Sequence, residues 1–119
     1  MKSLHRVKTL AAYDGARLLI KNEMCYPAYM MLKESARGVL SYIVEDWFDK
    51  EISEKMKLTR LVEFVTPDMV GESNLDGIKS LIDLENGGIE AILSVDIQTL
   101  LKIKASVKNL IAEYMKEPI

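Results

Sequence analysis

Residues 25 to 48, CYPAYMMLKESARGVLSYIVEDWF, constrain the fold more than any other stretch of the chain. Pro27 suits the first turn of a helix, where the N–H it lacks would have no intrahelical partner. From there Tyr29, Leu32, Ala36, Val39, Leu40, Ile43 and Trp47 recur at helical spacing, and Met31, Ser35, Gly38 and Tyr42 form a second stripe beside them. Only Glu34, Arg37, Ser41 and Glu45 are left to face water. An apolar arc this wide exceeds what a helix packed on one layer needs. The helix is therefore either central to the molecule or also part of an oligomer interface.

The remaining segments read as shorter or narrower helices. Near the N-terminus Leu4, Val7, Ala11, Gly15 and Leu18 make one stripe ending at about Lys21, and Ala11, Ala12, Gly15 and Ala16 leave a shallow groove for a neighbouring helix. A third helix is predicted over 53–65, with Leu58, Leu61 and Phe64 among its apolar residues, ending before Pro67. The stretch PDMVGESNLDG, 67–77, reads as a loop because glycine, asparagine and aspartate favour turns. A short helix over about 75–85 follows, with Asn86 to Gly88 supplying its C-terminal cap. The last helix starts near 89 or 94, runs to about 116 along Leu100, Ile103, Val107, Leu110 and Tyr114, and stops before Pro118. Nothing alternates with period two over a strand's length. The expected architecture is all-α: one domain spanning 1–119, an up-and-down four-helix bundle with one additional short helix.

Composition removes several classes of activity. With 16 basic and 18 acidic residues the chain lacks the positive excess of a nucleic-acid binder, so nucleic acid is not an expected partner. No apolar run reaches the roughly 20 residues of a membrane-spanning helix. Asp14 and Arg17 interrupt the apolar core a signal peptide would need. The lone Cys25 offers no internal disulfide, and the reading is a cytoplasmic protein with Cys25 packed as a neutral thiol. One histidine cannot build a two-histidine metal site, and His5 reads as a solvated or lightly packed residue. No cofactor is expected. Lys102, Lys104 and Lys108 form a basic ridge, read first as a solvated face and second as a contact for a phosphate or RNA backbone. Glu72, Asn74, Asp76, Gly77 and Asp83 fall at positions one, three, five, six and twelve of a calcium-binding EF-hand loop. Glutamate at the first of these, Lys79 at the eighth and aspartate at the twelfth depart from that pattern, and an Asp-Gly turn with helix capping is the preferred reading.

An early alanine-rich helix, then YPAYMMLKESARGVLSYIVED, LTRLVEFV and a final helix opening DIQTLLKIKASV, together resemble the HEPN superfamily of small helical bundles. The resemblance covers most of the chain. It implies a bundle that dimerises, that often works beside a nucleotidyltransferase partner protein, and that in many members cuts RNA. Active HEPN ribonucleases use an arginine followed four to six residues later by a histidine. Here Arg6, Arg17, Arg37 and Arg60 all follow the only histidine, so that motif is absent and no catalytic residue is carried over. The leading expectation is a non-catalytic HEPN-like module, homodimeric, that binds a protein partner or a nucleotide-type ligand. Tyr29, Arg37, Tyr42 and Trp47 are its candidate groove or interface residues, because aromatics and arginine dominate such contacts. Core packing is the preferred role for Trp47 and weighs equally for Tyr42. The competing expectation is an enzyme or calcium-responsive regulator built on the 68–83 loop.

Overall fold

The computed structural model describes residues 2–53 and 55–119, and every regular element among them is helical, so the all-α class is borne out. The long helices are α1 (Lys2–Lys21), α2 (Cys25–Phe48), α5 (Glu72–Asn86) and α7 (Ile97–Tyr114); α3 (Leu58–Leu61), α4 (Pro67–Val70) and α6 (Gly88–Leu93) are short. A tight turn joins α1 to α2: the Met24 N–H returns to the Leu19 carbonyl and the Glu23 N–H to that of Ile20, with Glu23 in the left-handed region.

Helix α2 is the centre of the molecule. It packs against α1, α3, α5, α6 and α7, and between Ser35 and Glu45 only Arg37 and Tyr42 escape full burial. Apart from the exposed Trp47 and the half-buried Met31 and Tyr42, the wide arc is thus accounted for within one chain. Its expected wet face is corrected: Glu34 is exposed, but Ser41 and Glu45 are buried. Ser41 donates its hydroxyl to the Arg37 carbonyl at 2.8 Å and Glu45 is held by an imidazole, so neither loses hydrogen bonds on leaving water.

The buried stripe of α1 is also not the expected one. His5, Thr9, Tyr13, Ala16 and Ile20 face the core, while Val7 and Leu18 remain 64% and 48% exposed and Ala11 lies outside with them. Ranking residues by hydrophobicity places the stripe on the wrong side, because two of the inward positions are polar. Thr9 meets Gly38 where α1 and α2 come closest; a Cβ on Gly38 would lie 3.2 Å from the Thr9 Cβ and collide with its hydroxyl.

Two further expectations give way. The third helix shrinks to α3 and a 3-10 turn over Val62–Phe64, because Asp49 turns left-handed after α2 and the Ile52 amide is committed to a side chain, not a helical carbonyl. The 67–77 loop is replaced by α4, a break at Gly71 (φ +87°) and an unbroken α5. The EF-hand-like residues therefore lie on a continuous helix. Glu72, Asn74 and Asp76 each step about 200° round its axis, so they do not converge on one ion as a loop would arrange them. The last predicted helix divides into α6 and α7, and Asp96 caps α7 by accepting the Thr99 N–H at 2.7 Å.

Gly77 sits inside α5 because it faces α7: a Cβ there would lie 2.6 Å from the Ser106 Cβ. Gly77→Ala is expected to destabilise the fold by about 1–3 kcal/mol through overpacking, against a helix-propensity gain of about 1 kcal/mol. Adding Ser106→Gly should recover part of the loss. Urea denaturation of the single and double variants checks this, and an unchanged midpoint for Gly77→Ala would contradict it.

Candidate functional site

The most organised polar feature is internal. His5 Nε2 donates to Glu45 Oε2 at 2.8 Å, and the same oxygen accepts the Ile52 N–H at 2.7 Å. The side chains are 1% and 6% exposed. Burial alone would raise the Glu45 carboxyl pKa, but the Ile52 amide and His5 outweigh it and hold the group below its ordinary value. His5 is thus neither solvated nor lightly packed, as the sequence suggested. A pair this closed reaches no substrate; it ties the start of α1, the end of α2 and the connector beyond α2 to one another. Its signal in the sequence is His5, Thr9, Tyr13, Ala16 and Ile20 at spacings of four, four, three and four, set against an α2 in which Glu45 follows Ser41 by one helical turn.

At the end of α2, Trp47 and Phe48 are 55% and 52% exposed. The preferred core role for Trp47 is therefore corrected. Its indole Nε1–H donates to the Tyr114 hydroxyl at 3.4 Å, and that hydroxyl donates to the Met69 carbonyl, which fixes the ring against α7 and α4. Phe48 meets Phe64 edge to face with centroids 6.2 Å apart, and the Arg60 guanidinium lies over Phe64 at 5.6 Å. Phe48, Phe64 and Arg60 were not singled out from the sequence, because they come together only when the end of α2 meets the segment after α3. Of the other candidates, Tyr29 is fully buried, its phenol raised above the usual value by desolvation and by Glu85 and Tyr26 nearby. Tyr42 is half-buried against the core. Arg37 is separated from Trp47 by nearly three turns of α2, so the four do not form one site.

Two surface cavities collect charge. One of about 510 Å³ lies between α1 and α7, with Leu10, Tyr13 and Ile119 as apolar lining and Arg17, Lys104 and Lys108 as cations. Two members of the predicted basic ridge thus sit at a cavity, while the third, Lys102, reaches Ser80 across to α5. The Asp14 and Glu117 carboxylates beside this cavity are occupied by Arg17 and Arg6. The second cavity, of about 270 Å³, is lined by Lys33, Glu34, Arg37, Lys55, Met56, Lys57, Leu58 and Glu85. Cys25 is a half-buried free thiol packed against the core.

Removing Glu45 leaves His5 and the Ile52 amide without their acceptor, so Glu45→Ala is expected to cost about 3–5 kcal/mol. The depressed carboxyl also fixes a pH dependence. Its stabilisation is complete above the ordinary value of 4.5 and is lost as pH falls through the lower folded value. Thermal melts below pH 4.5 should therefore fall more steeply for the wild type than for Glu45→Gln; parallel curves would contradict the assignment. No protein family, characterised protein or solved structure matches this chain.

Proposed function

We propose that the chain is a non-catalytic HEPN-like helical module, with α1, α2, α5 and α7 as an up-and-down four-helix bundle, whose work is to bind other proteins. The observation that carries this reading is the pair Trp47 and Phe48, two large aromatics more than half exposed at the end of the central helix. An exposed Trp-Phe pair anchored from beneath by Tyr114 and flanked by an arginine on Phe64 has the make-up of an interface hot spot. Residues 46–51 around it are all exposed and mostly charged, as the polar rim of an interface is. A nucleotidyltransferase is the partner class implied by the HEPN resemblance. The module is also a homodimer in this reading, with the outward face of α1, where Val7, Ala11 and Leu18 are exposed, as the self-association surface.

Two measurements test these surfaces separately. Light scattering at tens of micromolar should return twice the chain mass, and Leu18→Glu should return one; a wild-type monomer ends the dimer proposal. Affinity capture from the source cell should recover a partner that Trp47→Ser loses by about tenfold or more, the scale of a hot-spot residue, at an unchanged melting temperature. Equal capture by both proteins would place the interface elsewhere.

A further inference from the structure

The 270 Å³ cavity draws on three parts of the chain: Lys33, Glu34 and Arg37 from α2, Lys55 to Leu58 from the connector and the start of α3, and Glu85 from α5. Its four cations and two carboxylates leave two net positive charges. The carboxylates do not serve all the cations. Glu85 is held by Lys33 at 3.1 Å, and Glu34, 55% exposed, approaches the Arg37 Nε only to 3.8 Å. Lys55 and Lys57 have no ion-pair partner among the described residues.

Arg37 sharpens the case. Its side chain is only 13% exposed, and its Nη1 is buried with no hydrogen-bond partner among the described residues. A buried charged donor left without an acceptor is costly, whereas a guanidinium facing an oxyanion makes two parallel bonds. What the cavity lacks is an acceptor with more than one oxygen and more than one negative charge. A carboxylate ligand would neutralise only one of the two net charges; a phosphate monoester carries close to two. The volume lies below the roughly 300–1,000 Å³ of pockets that enclose drug-sized ligands, which suits a phosphate on a small carbon skeleton better than a whole nucleotide. Met56 and Leu58 give that skeleton an apolar wall.

We infer that this cavity binds the phosphate group of a small phosphate monoester, with Arg37 as its most buried cation and Lys55 and Lys57 as the balancing charges. The site is independent of the protein-binding surfaces at Trp47 and α1, so either assignment can fail without the other.

Thermal denaturation of the full chain, titrated with inorganic phosphate, glycerol 3-phosphate or adenosine monophosphate against chloride of equal ionic strength, tests it. Phosphate and glycerol 3-phosphate should each raise the melting temperature saturably above chloride; tighter binding of the ester identifies an ester site, and equal binding a site for free phosphate. Arg37→Gln should abolish the shift while melting, without ligand, no lower than the wild type. Lys57→Ala, at an exposed position, should weaken binding about tenfold, the scale of one charged hydrogen bond, and Lys104→Ala at the other cavity should leave it unchanged. A response no greater than that to chloride, or a shift that survives Arg37→Gln and Lys57→Ala alike, overturns the inference.

Discussion

One carboxylate oxygen, Glu45 Oε2, holds the molecule's least greasy junction together. It accepts the His5 imidazole from α1 and the Ile52 amide from the connector at hydrogen-bonding distance from both. Without it, the inner face of α1 would present a buried imidazole with no partner, and only the apolar burial of Ile52, Leu58 and Leu61 would hold the chain after Asp49 across the end of α2. The rest of the arrangement follows from that crossing. The segment cannot continue as a helix, so α3 is reduced to one turn, and Phe64 is delivered against Phe48. The same crossing carries Lys55 and Lys57 to the cavity that Arg37 lines.

Close approach of helix backbones is the second constraint. It is met twice by the same device, a glycine in one helix opposite a short hydroxyl side chain in its neighbour: Gly38 against Thr9, and Gly77 against Ser106. Each lets a long helix seat on its partner without a large side chain between them. The two contacts differ in what they leave unsatisfied. Ser106 turns its hydroxyl back to the Lys102 carbonyl, whereas the Thr9 hydroxyl oxygen is buried with no partner among the described residues. The α1–α2 seam is therefore specified more by shape and by the His5–Glu45 pair than by complete hydrogen bonding.

Much of the helical content was legible because long apolar stripes have no other use. The broad surface of α2 read as a helix either central or also part of an oligomer interface, and Leu100, Ile103, Val107 and Leu110 marked the inner side of α7. What failed did so for identifiable reasons. Hydrophobicity could not rank His5 and Thr9 above Val7 and Leu18, since the residues they meet, Glu45 and Gly38, lie far along the chain on another helix. Glycine at 77 read as a turn, although its role is to make room for Ser106, while the real break falls at Gly71. Trp47 stood out as an aromatic, yet its exposure depends on where α2 outruns its neighbours. The cavity around Arg37 was illegible apart from the arginine itself, because its lysines come from separate segments.

The seam between α1 and α2 also limits how this sequence can drift. His5, Thr9, Gly38 and Glu45 meet across a single crossing, so an exchange at one position changes what the opposite helix can accept. A larger residue at 38 calls for a smaller one at 9, and an apolar residue at 5 leaves the acid at 45 with the Ile52 amide but without its imidazole. Variation here should travel in matched pairs.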